Sequence, residues 1–216
     1  MNIFVETTSL DEIRRTTAAG FADGIVITDA VDSSSAEGRK QIEDIAQEFA
    51  IPMCVEVGAI HSDDIYRQAR EIAKISDHII IQLPLVDDAV AAMHRLSSEG
   101  VGVCANFVFN GAQAVLAAKA GASMVRVALH DLDAQGQTST DAVTEIRSLL
   151  EASDCECDVM VASPSTTTQF TECVSAGAQI VSIRPEILHS LLLHPLTDRG
   201  LDRFLNNLTK RSKAKD

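Results

Sequence analysis

The stretch that most limits what this chain can fold into is Asp77-His78-Ile79-Ile80-Ile81-Gln82-Leu83-Pro84, together with its repetition along the sequence. Three consecutive isoleucines between a polar start and a proline stop describe a strand buried on both faces, because a strand with one wet face would alternate apolar and polar residues. Seven more apolar runs share this character: Ile3 to Val5, Ile25 to Ile27, Met53 to Val55, Val101 to Ala105, Met124 to Leu129, Cys157 to Ala162 and Gln179 to Ile183. The segments between them carry helical periodicity. In Ala36 to Phe49, for example, Ile42, Ile45, Ala46 and Phe49 fall on one face. Ser9, Ser35 and the Ser62-Asp63-Asp64 run supply helix-capping groups, and Gly100, Gly121 and Gly177 supply stops. Eight alternations of strand and helix predict an α/β fold, a closed (β/α)8 TIM barrel, over an open doubly wound sheet. The expected organisation is a single domain over residues 1–216, with an additional C-terminal helix and basic tail from about residue 198.

Composition agrees with a parallel sheet wrapped in helices. The chain of 216 residues is 46% hydrophobic but only 4% aromatic, so its core must be built from Ala, Val, Ile and Leu. A formal net charge of -13 leaves no basic face for phosphate backbones, and the basic Lys210 to Lys215 tail is short, so no nucleic-acid partner is expected. No apolar run approaches the roughly 18 residues of a spanning helix, so no membrane association is expected and a cytoplasmic protein is. Cys54, Cys104, Cys155, Cys157 and Cys173 contain no C-x-x-C pair and are read as reduced structural thiols.

In a barrel of this kind, chemistry sits at the carboxyl ends of the strands. On the register above, that face receives Glu6, Thr28, Asp29, Glu56, Gln82, Asn106, His130, Asp131, Ser163 and Arg184. Glu6 and Glu56 directly follow apolar strand residues, so both side chains are expected to point into the barrel, where an unpaired carboxylate is costly.

The C-terminal run Gly177-Ala178-Gln179-Ile180-Val181-Ser182-Ile183-Arg184-Pro185-Glu186-Ile187-Leu188, followed by His194-Pro195-Leu196-Thr197-Asp198-Arg199-Gly200-Leu201, is the most specific signal in the chain. It resembles the last strand and the "HPLTDKGL" segment of the transaldolase family, in particular the small members related to fructose-6-phosphate aldolase. Gln113 with Leu116 to Ala122, and the pair Asp23-Gly24, extend the resemblance along nearly the whole chain. It implies a barrel acting on sugars or sugar phosphates, and ring-like homo-oligomers in which the C-terminal helix crosses to a neighbour.

The resemblance also implies departures at the site. The family's fourth strand ends in a "VK-(V/I)-P" pattern whose lysine forms a Schiff base with the substrate ketone, and here Ile81-Gln82-Leu83-Pro84 stands in that place. Glu6 matches the acid/base aspartate of strand one, Thr28 and Asp29 replace part of the "TTNP" turn, and Asn106 replaces a threonine that places water. Asp131 matches a phosphate-gripping arginine, Glu56 a third-strand carboxylate, and Ser163 a phosphate-contacting serine. The expected catalytic group is therefore Glu6, Glu56, Gln82 and Asn106, with Thr28, Asp29, His130, Asp131, Ser163 and Arg184 binding substrate.

The expected ligand is a small carbonyl compound, sugar or sugar phosphate. Three functions are compatible with these residues: surviving sugar-phosphate chemistry, changed acid/base or divalent-metal chemistry on the same scaffold, and a non-catalytic relative that binds a ligand or serves as a subunit. No cofactor is expected, although Glu6, Asp29, Glu56 and Asp131 offer oxygen ligands of the kind Mg²⁺ or Mn²⁺ prefers. A neutral amide at Gln82 would separate Glu6 from Glu56, two carboxylates expected to share a proton.

Overall fold

In the computed structural model, which describes residues 1–27, 31–59 and 61–213 (side chains through residue 208), the predicted alternation closes on itself. The chain runs β1 (Asn2–Glu6), α1 (Leu10–Ala18), β2 (Gly24–Ile27), α2 (Ala36–Glu48), β3 (Met53–Glu56), α3 (Ser62–Ala73), β4 (Ile79–Pro84), α4 (Asp87–Ser98) and β5 (Gly102–Asn106). It continues through α5 (Gly111–Lys119), β6 (Met124–Ala128), α6 (Leu129–Ala134), α7 (Ser139–Ala152), β7 (Asp158–Ala162), α8 (Thr167–Ser175), β8 (Ile180–Ile183), α9 (Pro185–Ser190) and α10 (Pro195–Lys213). Each strand pairs in parallel with the next, and β8 pairs with β1. The result is a (β/α)8 barrel with an extra C-terminal helix.

Closing the sheet divides the core in two. Phe4, Val26, Cys54, Cys104, Met124, Met160 and Ile180, with Ile80 beside them, fill the inside of the barrel. Val5, Ile25, Ile27, Met53, Val55, Ile81, Val103, Val159 and Val181 face outward against the helices. Both faces are dry, which is why the strands read as continuous apolar runs. Burying one such Val, Leu or Ile contributes roughly 1.5–3 kcal/mol, so a polar group tolerated inside needs a specific partner. A hydrogen bond with the adjoining Cys54 thiol, together with burial, pushes the inner thiol of Cys104 well above its usual range.

Local chemistry explains the first crossover. Asp23 accepts the Ile3 amide through its side chain at 2.8 Å and donates its own amide to the Ile3 carbonyl at 2.8 Å, latching β1 to the start of β2. Gly24 is then required by close packing, because a Cβ there would sit 2.5 Å from Cε1 of Phe4. The Asp23-Gly24 pair is therefore less a turn than the point where the Phe4 ring fills the barrel against bare backbone. Ser9, Ser35, Asn110 and Thr166 cap α1, α2, α5 and α8 by accepting amides of the first helical turn.

Several expected boundaries shift. The Ser62-Asp63-Asp64 run does not cap α3 from outside; His61 is the cap residue, makes no side-chain cap bond, and Ser62 already belongs to the helix. The sixth strand ends at Ala128 rather than Leu129. Leu129 and Leu132 are buried, and this apolar pair folds the segment expected as a strand end and polar loop into the short α6. The final helix continues past Leu208 to Lys213. Its residues Leu196, Leu201, Phe204, Leu205 and Leu208 are 45–62% exposed.

Candidate functional site

Two residues after the inner apolar layer, the same alternation brings polar side chains into the barrel. Glu6 follows Phe4 on β1, Glu56 follows Cys54 on β3, Gln82 follows Ile80 on β4, Asn106 follows Cys104 on β5, and Ser182 follows Ile180 on β8. The strand period of two makes this unavoidable once the layer below points inward. Arg126 follows Met124 on β6 in the same way, and the sequence reading did not place it at the site.

Arg126 organises what is around it. Its Nη2 donates to Oε1 of Glu6 at 2.9 Å, and Nη1 reaches Oδ1 of Asn106 at 3.5 Å. The two charged side chains are 14% and 5% exposed, so this ion pair spans the interior with little screening. Glu6 Oε1 also accepts from the Ser182 hydroxyl at 2.6 Å, and Oε2 accepts from the Ser163 hydroxyl at 2.5 Å. Glu6 thus points inward as expected, but its neighbour is a guanidinium. The Glu6 carboxylate is held by one cation and two hydroxyls.

Strand ends around this network carry unusual backbone. Ser163, just past β7, holds φ +53° with its amide donating to the Ser182 carbonyl at 2.8 Å. Phe107, just past β5, holds φ +59° with its amide donating to Oδ1 of Asn106 at 2.9 Å. A left-handed non-glycine residue costs about 1 kcal/mol or more, and such residues cluster where side-chain placement matters. At Ser163 the conformation delivers the hydroxyl to Glu6. At Phe107 it leaves the ring 45% exposed on the same face of the barrel.

Gln82 is 2% exposed and pairs in register with Glu56 on β3 and Cys104 on β5. Its Oε1 and Nε of Arg126 are buried without a hydrogen-bond partner among the described residues. Glu56 is half-buried, and its carbonyl accepts from the Ser33 hydroxyl at 2.7 Å.

Five other expected site residues stand outside this network or fall outside the description. Thr28 and Asp29 lie outside the described residues. His130 and Asp131 are not strand-end groups: both sit exposed in the first turn of α6, because Leu129 and Leu132 take the inward positions. Asp131 instead borders a shallow cavity of about 430 Å³ with Phe109, Leu132 and Gln137. Arg184 is exposed at the end of β8, where it is the residue preceding α9. Among the described residues, no group of three or more His, Cys, Asp or Glu side chains is placed to hold a metal ion.

Arg126 and Ser182 were legible in principle. Each is a lone polar residue in an inward position of a buried strand, and an arginine there needs a carboxylate such as the one expected at Glu6.

Comparison with known proteins places this arrangement. Residues 8–215 match the family model described as Transaldolase/Fructose-6-phosphate aldolase. The chain is 35% identical over 211 residues to a probable transaldolase of Petrotoga mobilis, covering 97% of this chain and 96% of that protein. A probable transaldolase of Bdellovibrio bacteriovorus is 30% identical over 214 residues, covering 99% and 100%, and one of Brucella anthropi is 35% identical over 213, covering 97% of each. With the closed barrel, the polar layer at its carboxyl end and a match over nearly its whole length, the chain belongs to the transaldolase/fructose-6-phosphate aldolase family.

Proposed function

We propose that this member of the family binds a small sugar, sugar phosphate or related compound at the carboxyl end of the barrel and handles it without a Schiff base. Gln82 carries the reading. It lies inward on β4 at the position where the family resemblance puts the imine-forming lysine, and it is buried. An amide nitrogen has its lone pair delocalised into the carbonyl and cannot attack a ketone, whereas a desolvated amine can. Lys40, Lys74 and Lys119 are exposed on α2, at the end of α3 and on α5, so none of them replaces it.

Glu6 serves here to hold Arg126 in place, since both of its oxygens are already committed to Arg126, Ser163 and Ser182. For a phosphorylated ligand, Arg184 offers the cation at the rim, and Asp131 carries the wrong sign for that task. The test is borohydride reduction of the full chain with fructose 6-phosphate or dihydroxyacetone, followed by intact-mass measurement. The reading requires no covalent adduct, and an adduct mapped to any lysine refutes it.

The apolar face of α10 supports a second element of the proposal, a homo-oligomer in which this helix packs on another copy. The groove between α1 and α9, a cavity of about 420 Å³ lined by Ala19, Phe21, Leu188 and Leu192 and also by Glu12, Arg15, Glu186 and His189, offers a partly apolar receiving surface. Five free thiols, four of them buried, accord with a cytoplasmic setting.

A further inference from the structure

The two unpartnered atoms at the floor of the site are of opposite hydrogen-bonding sense. Oε1 of Gln82 can only accept, and Nε of Arg126 can only donate. Both side chains come from even-numbered strands, β4 and β6, and alternate strands of such a barrel contribute side chains to a common layer. Left unpaired in an interior, each carries the desolvation penalty of a polar group with nothing in return. For one guest within reach of both atoms, the pair specifies its chemistry. A group satisfying both must accept one hydrogen bond and donate another. A hydroxyl does this. A ketone oxygen, a carboxylate or a phosphate dianion only accepts, and an ammonium only donates. The charge of Arg126 is already balanced by Glu6, so the spot holds no net attraction for an anion.

We infer that the floor of the site is a subsite for one alcohol carbon of a polyol, whose hydroxyl accepts from Nε of Arg126 and donates to Oε1 of Gln82. The inference rests on the imine-free reading above and adds to it the oxidation level of the carbon held at position 82: an alcohol rather than a carbonyl. Where an amine would seek the electrophilic carbon of a ketone, an amide oxygen seeks the proton of a hydroxyl. Gln82 and Arg126 are then specificity-determining residues. Water can form the same two hydrogen bonds, so the experiment must separate water from a ligand hydroxyl.

The measurement is a heteronuclear NMR titration of the full chain with an alditol, xylitol, and with its 2-keto counterpart, D-xylulose, each followed by borohydride treatment and intact mass. Xylitol is expected to bind about tenfold or more tighter than xylulose, the loss attending a buried acceptor left without its donor. Gln82→Leu removes the acceptor and keeps apolar bulk; it should weaken xylitol about tenfold and erase the preference. Arg126→Lys keeps a cation beside Glu6 but removes Nε, and should weaken xylitol as well. Equal affinities, a preference for xylulose without an adduct, an unchanged xylitol affinity in Gln82→Leu, or no xylitol binding because water holds the spot would each overturn the inference. A borohydride-trapped adduct with xylulose would instead overturn the imine-free reading, so the two failures are distinguishable.

Discussion

Replacing Arg126 with methionine removes the cation from a carboxylate that is 5% exposed and leaves Glu6 with the hydroxyls of Ser163 and Ser182 alone. Breaking a buried ion pair by deleting one partner costs about 3–5 kcal/mol. The two remaining hydroxyl donors place this case near the lower end, about 3 kcal/mol. At about 2–4 °C per kcal/mol for a domain of this size, the melting temperature should fall by about 6–12 °C. Glu6→Gln gives the complementary loss, since it leaves a buried guanidinium against a neutral amide. The double variant Glu6→Gln/Arg126→Met removes both charges together, so its destabilisation should be at least about 1 kcal/mol smaller than the sum of the single losses. Urea unfolding followed by circular dichroism at neutral pH measures all four proteins. Additive losses, or an Arg126→Met variant within about 0.5 kcal/mol of the parent, would show that the pair does not hold the site together and that the geometry argued from it is wrong.

Three further outcomes are expected. Deleting residues from Asp198 onward should lower the mass observed by size exclusion with light scattering, and an unchanged mass would count against an exchanged α10. Gly24→Ala should destabilise the barrel by about 1–3 kcal/mol, because the new Cβ meets the Phe4 ring at 2.5 Å; Phe4→Leu in the same chain should recover part of that loss in thermal melts. Burial pushes the Cys157 thiol up to about 12, above its value of about 8.5 in an unfolded chain, so the stabilisation it carries is complete below about pH 8.5 and is lost as pH rises toward 12. Cys157→Ser should flatten that alkaline decline in a pH series of unfolding curves, and an identical slope in both proteins would refute the assignment.

The barrel was legible because its strands are dry on both faces, which prints runs such as Ile79-Ile80-Ile81 that few other folds require. The inward direction of Glu6 was legible from its place directly after an apolar run, and the strand period of two accounts for it once the layer below is seen to point inward. Arg126 is not a strand-end residue but sits in mid-strand, although its position two residues beyond Met124 fixes its direction equally well. His130 and Asp131 were misplaced for the converse reason. Leu129 extends the apolar run of β6 by one residue, and nothing in that run shows that the backbone has already turned into α6; only the burial of Leu132 with Leu129 does. Long-range pairings such as Ser163 and Ser182 with Glu6 join residues more than 150 positions apart and emerge only once the barrel closes.

The claim that position 82 occupies the imine site, and that its amide abolishes the imine, is tested most directly by comparing the parent with Gln82→Lys in borohydride trapping with dihydroxyacetone, read by intact mass and peptide mapping. The account predicts no adduct on the parent and an adduct on the introduced lysine at residue 82 of the variant. An adduct on the parent, or a variant that folds normally yet traps nothing at residue 82, would contradict it.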